Sequence, residues 1–152
     1  MKHLTKLLIS GAVATSVAGT VYAEGPFEEQ IKARQGFYEV VKFNMETLGD
    51  MVKGKRDYDP VVAEAAAKNI YSLSTLNNAL LWPKGSDSSA ADTHAKPEIW
   101  SNFDDVKQKH RAWNQAAEKL ATNAGKGMGQ MKASFGPVGK SCKSCHNDYK
   151  TK

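Results

Sequence analysis

Apolar residues recur three or four positions apart along four stretches of the chain, the spacing of one face of an α-helix. In the first stretch Phe27, Ile31, Arg34, Tyr38, Val41, Met45, Leu48 and Val52 share a stripe, which predicts a helix from about Pro26 to Val52. Pro26 suits a first turn, where its missing N–H costs nothing, and Glu28 and Glu29 favour the positive end of the helix dipole. Gly54 lies where this helix should stop. A second helix is predicted from Pro60, capped by Asp59, to about Trp82, with Val62, Ala66, Ile70, Leu73, Leu76 and Leu80 on its apolar face. Pro83 cannot continue it.

The third predicted helix starts near Ser101 or Asn102 and presents Phe103, Val106, His110, Trp113, Ala117 and Leu120 before Asn123-Ala124-Gly125 stops it. The fourth begins near Gly127. It places Met128, Met131, Phe135, Val138, Cys142, Cys145 and Tyr149 on an unbroken heptad seam, the pattern of shallow helix packing. Gly136-Pro137 should loosen or kink the backbone within it. Between the second and third helices, residues 83–98 read as irregular chain, longer than an ordinary bundle connection, and are expected to cross an end of the bundle or cover something. No stretch alternates in polarity as a strand would, and no segment repeats. The predicted fold class is all-α, an antiparallel four-helix bundle.

The first residues concern where the chain works. Lys2 and Lys6 precede an apolar run from Leu7 to Val21, and Val21-Tyr22-Ala23 offers a small-residue cleavage site. The run is shorter than the ~20 residues that span a bilayer as a helix. Residues 1–23 are therefore expected to be a secretory signal peptide removed after Ala23, with an uncleaved anchor as the alternative. Cleavage would leave a single domain, 24–152, in the periplasm with no membrane attachment. Losing two lysines and no acid lowers the formal net charge from +5 to +3. That mild balance, with aromatics not interleaved with arginines, argues against nucleic-acid binding.

Candidate chemistry concentrates near the C-terminus in Cys142-Lys143-Ser144-Cys145-His146, the C-x-x-C-H pattern of covalent c-type haem attachment. At about 100° per residue, both thiols and the imidazole leave one helix face, so two thioether links and an iron ligand fit one turn. Two rival readings exist. A dithiol redox motif belongs near a helix start in a βαβ pattern, and a structural zinc site needs two more ligands, for which the expected mature chain offers nitrogen only from His94 and His110. Met45, Met51, Met128 and Met131 are candidates for a sixth iron ligand, which would make a six-coordinate, low-spin electron carrier; an open face would bind a small ligand instead. Methionines at helical spacing are more often core filler.

Together, Arg34-Gln35, Lys53-Gly54 with Tyr58-Asp59, Pro97-Glu98-Ile99-Trp100, and Phe135 through Tyr149 resemble the cytochromes c', the class II bundle cytochromes. The resemblance spans nearly the whole expected mature chain. It implies one covalently attached haem c, pentacoordinate and largely high-spin, with His146 on the iron and no protein ligand opposite. It also implies a non-enzymatic role in binding nitric oxide and carbon monoxide, electron transfer with an unidentified redox partner, and a homodimer through the first two helices. In the family, residues matching Arg34 and Gln35 lie by the haem propionates. A guanidinium on an apolar stripe does call for a buried anion, although a solvent salt bridge is the alternative for Arg34 and an exposed polar contact for Gln35. The family places a bulky residue over the open iron face where this chain has Tyr38; the alternatives are an ordinary core tyrosine, or Phe37 in its place. Two positions depart from the family pattern. Lys150 stands where arginine is usual, which keeps the charge but loses the planar fork, and Pro137 interrupts the last helix. Trp82 and Trp100 flank the crossover and would cover a haem edge or simply pack; His94 should be solvated, and His110 packed or on the surface.

Overall fold

The computed structural model describes residues 25–152, so the leader expected over residues 1–23 lies outside the described residues. Helix α1 is Glu28–Val52, α2 is Pro60–Thr75, α3 is the single turn Glu98–Ser101, α4 is Phe103–Asn123 and α5 is Met128–Tyr149. Among the described residues there is no strand, and no helix is long and apolar enough to cross a membrane. Helices α1, α2, α4 and α5 form the four-helix bundle.

Local chemistry sets most of the helix boundaries. Asp59 accepts hydrogen bonds from the backbone N–H of Val61 (2.8 Å) and Val62 (3.1 Å), and Pro60 occupies the first turn behind it. The α2 C-terminus differs from expectation, because the helix ends at Thr75 and not near Trp82. The Ser74 and Thr75 hydroxyls donate back to the Tyr71 and Ser72 carbonyls, and Asn77 then accepts from the Ala79 N–H in a local turn. Such side-chain bonds offer the backbone an alternative to continuing the helix. A short 3₁₀ turn, Ala79–Leu81, follows, and Leu76 and Leu80 are exposed, not core. Pro137 also behaves differently from expectation: α5 stays helical through it, with the ring on the exposed side.

Leu48, Met51, Ile70, Leu120, Met131 and Val138 are fully buried at the centre of the bundle. Burying each such side chain contributes roughly 1.5–3 kcal/mol. Ala63, Ala66 and Ala67 on α2 and Ala116 and Ala117 on α4 share that core and let the two helices approach closely. Helix α4 packs along both α2 and α5, and α2 along α1, whereas α1 meets α5 at few places. The end opposite the crossover is clasped by Tyr58, whose hydroxyl donates to the Ala124 carbonyl and accepts from the Gly127 N–H, each at 2.9 Å.

Candidate haem-binding site

The α5 heptad seam faces the bundle as its spacing predicts, with Met131, Val138 and Tyr149 buried and the rest half-buried, and it delivers the cysteines to two different apolar clusters. Cys142 packs, half-buried, against the main core, while Cys145 packs with Trp82, Trp100 and Val106 on a second cluster of Ala95, Ile99 and Tyr149. Both thiols are free, and burial pushes both above the ordinary cysteine range. His146 is exposed on the same turn. Desolvation by its surroundings, then the charge of Lys150, lowers its pKa, which keeps the imidazole neutral and able to donate a lone pair at pH 7.

Helix α1 faces this turn from the other side. The two helices run antiparallel and touch where the Phe135 ring stands 3.5 Å from the position a side chain on Gly49 would take. Eleven residues back from Gly49 is Tyr38, and eleven forward from Phe135 is His146, which sets these residues level, about 16 Å from that contact. Tyr38 is 38% exposed, yet burial pushes its phenol pKa up to about 12, with Cys145 and then Cys142 adding to the rise and Arg34 opposing it. A residue both accessible and crowded lines a crevice, and the two cysteines share that crevice. Phe37 faces the bundle core instead, its ring edge-on to Tyr38 at 5.0 Å. Gln35 is exposed, and its side chain makes no hydrogen bond among the described residues.

Arg34 is 3% exposed, which rules out the solvent salt bridge. Its Nη1 donates to the Leu81 carbonyl (3.3 Å) and Ser86 Oγ (3.0 Å), and its Nη2 donates to the Ser86 carbonyl and Thr93 Oγ1, both at 2.9 Å. The guanidinium also stacks on the Trp82 ring, 4.4 Å from its centroid. Tyr38 and Trp82, and Trp82 and Trp100, pair at 6.3 Å, and Trp100 Nε1 donates to the Trp82 carbonyl. The tryptophans thus wall the Cys145 side of the crevice.

None of the crossover's partners was visible in the sequence. Ser86 and Asp87 are buried, and Ala95 forms an isolated antiparallel bridge with Lys150. The motif for Asp87 is local and readable: its carboxylate accepts from the Ser89 N–H and hydroxyl, which lowers its pKa. Two open grooves of about 610 and 220 Å³ lie on the α4 side of this end, both lined by Asp105 and neither by Cys142, Cys145, His146, Arg34 or Tyr38.

A family model described as Cytochrome C' matches residues 29–150. The chain belongs to the cytochrome c' family. The cytochrome c' of Allochromatium vinosum is 35% identical over 156 residues, covering 100% of both chains. Among solved structures, cytochrome c' from Rhodobacter Spheriodes superposes with a TM-score of 0.81 at 32% identity, covering 84% of this chain and 98% of that one. A ferrous variant of cytochrome c prime from Alcaligenes xylosoxidans with bound nitric oxide matches at TM-score 0.72 and 31% identity, covering 86% and 99%. A carbon monoxide-bound variant of the same protein matches at TM-score 0.72 and 32% identity, covering 84% and 98%.

Cytochromes c' bind haem c, and the residues at this end of the bundle suit that group: two thiols outside any disulfide, a neutral imidazole with no hydrogen-bond partner among the described residues, and a crevice between two helices. The rival chemistries lack their requirements. Redox-active C-x-x-C pairs need a depressed thiol pKa at a helix start, whereas Cys142 lies fourteen residues into α5 with a raised one. Among the described residues no three His, Cys, Asp or Glu side chains gather closely enough to hold a zinc ion. His94 is exposed beside Thr151. His110 is packed edge-on against Trp113 at 5.5 Å; its Nε2 and the Trp113 Nε1 are buried without a partner among the described residues.

Proposed function

We propose that this chain carries one haem c, attached by thioether links to Cys142 and Cys145 with His146 as its single protein axial ligand, and that it binds diatomic gases in the crevice under Tyr38. When bound, the haem would supply an iron able to take a small ligand and a one-electron ferric–ferrous couple. The remaining work falls to this chain's own residues. His146 is exposed, with its pKa lowered and no hydrogen-bond partner among the described residues, which suits it to coordinate. Tyr38, level with it on the opposing helix, narrows the approach, and its hydroxyl, protonated well beyond physiological pH, offers a hydrogen bond to a bound ligand. The tryptophans keep one flank of the crevice dry.

The observation that best supports this reading is the register of α1 against α5, by which helical rise counts Tyr38 level with His146 while the methionines lie elsewhere. Met51 and Met131 are buried in the main core, and Met45 and Met128 pack against it. Met45 sits seven residues further along α1 than Tyr38, about 10 Å towards the far end of the bundle. The nitric oxide and carbon monoxide complexes of the related protein support the same ligand class here. We further propose that residues 1–23 are removed on export to the periplasm, that domain 24–152 exchanges electrons with a redox partner and acts as no enzyme, and that it forms a homodimer over the exposed apolar residues of α1 and α2, Val40, Phe43, Val61 and Val62.

The optical spectrum of the purified ferrous protein tests the central proposal. Broad high-spin bands that sharpen on adding carbon monoxide are expected. Sharp low-spin bands before any ligand is added would instead establish the six-coordinate carrier, and a colourless protein with two titratable thiols would end the haem reading.

A further inference from the structure

The crossover is tied to both sides of the crevice. On the α1 side, Arg34 holds it through Leu81, Ser86 and Thr93, and the Phe27 ring lies 3.6 Å from the position a side chain on Gly85 would occupy. On the α5 side, the Lys96 N–H donates to the Tyr149 carbonyl at 3.1 Å and the Thr151 N–H donates to the His94 carbonyl at 2.9 Å, around the Ala95–Lys150 bridge. Thr93 Oγ1 joins the two halves, because it accepts from Arg34 and also from the Ala95 N–H. The Lys150 N–H in turn caps α5 on the His146 carbonyl, which anchors this short pairing on the last turn of the helix.

We infer that Arg34 is a positioning residue, which acts through Thr93 and the crossover to fix the segment Tyr149–Thr151, and with it the end of α5 that carries His146. All four of its hydrogen bonds go to neutral oxygens, three on the crossover and one on the 3₁₀ turn before it, the farthest 59 residues away in sequence. A planar fork that reaches three separate residues at once is geometry that a lysine cannot reproduce. The crossover is thereby a strap that couples the Tyr38 side of the crevice to the His146 side. The inference rests on the proposed function only in taking His146 as the iron ligand.

Hydrogen–deuterium exchange of the haem-loaded full chain tests it, in wild type, Arg34→Lys and the milder Thr93→Val. In both variants the Lys96 and Thr151 amides are expected to exchange at least about tenfold faster, the scale set by losing one charge-assisted hydrogen bond. The Gly127 amide, bonded to Tyr58 at the far end, keeps its rate. Lys96 and Thr151 amides that stay at wild-type rates in Thr93→Val would overturn the inference, as would an equal rise at Gly127, which would mark general loosening. Exchange is read by mass whatever the spin state, so this failure is separable from failure of the coordination proposed above.

Discussion

Tyr38 and Phe37 are neighbours in sequence with opposite surroundings, and that single step of about 100° around α1 decides which ring reaches the crevice. Replacing Tyr38 by alanine should open the approach and raise the carbon monoxide association rate about tenfold, equal to about 1.4 kcal/mol off the barrier, as stopped-flow mixing would measure. An unchanged rate would remove Tyr38 as the gate. Tyr149 makes a separate prediction. Its hydroxyl donates to Asp105 at 2.7 Å, and that bond, with burial second, pushes its pKa from 10 up to about 12. The folded state therefore holds this proton more tightly than the unfolded chain. Its contribution is complete below about pH 10 and is lost as pH rises through 12. Tyr149→Phe should make alkaline unfolding curves flatter across that window, while stability at pH 7 relative to pH 9 stays as in the wild type.

At the scale of elements, boundaries set by adjacent residues were legible in the sequence and faces set by neighbours were less so. Asp59-Pro60 announces the start of α2 because the cap and its donors are two and three residues apart. Asp59→Ala should cost about 1 kcal/mol, visible as a lower thermal midpoint with an unaltered visible spectrum. The α5 seam read correctly since both its faces meet packed partners. On α1 the alternation of threes and fours allowed two stripes; the bundle buries Phe37, Asn44 and Met51 where the sequence pattern favoured Tyr38, Met45 and Val52. Asn44 is tolerated there because it donates to the Val40 carbonyl and accepts from Asn69 on α2. The crossover was legible only as a long polar connection, since Arg34 meets its partners 47 to 59 residues away and no local spacing encodes that.

Over the whole molecule, α2, α4 and α5 share one continuous core, and α1 joins it chiefly through α2. Leu120, fully buried among these helices, connects them: Leu120→Ala should cost about 2–5 kcal/mol, and denaturant curves followed by helix content and by haem absorbance should shift together. Separate transitions would show that the helices do not unfold as a unit. The motif residues Cys142, Cys145 and His146 were readable from their spacing alone; the crevice they share was not, because it depends on α1 meeting α5 at few places, which no local spacing encodes.

The pairing of residues 94–96 with 149–151 also bears on how the molecule is made. Translation delivers those partners some fifty residues apart, and the later set emerges after the attachment motif itself. The two segments can pair only once α4 and α5 have folded back along α2 and brought them to the same end of the bundle. Closure of this end is thus a long-range event, completed by the finished bundle and not by any local turn chemistry.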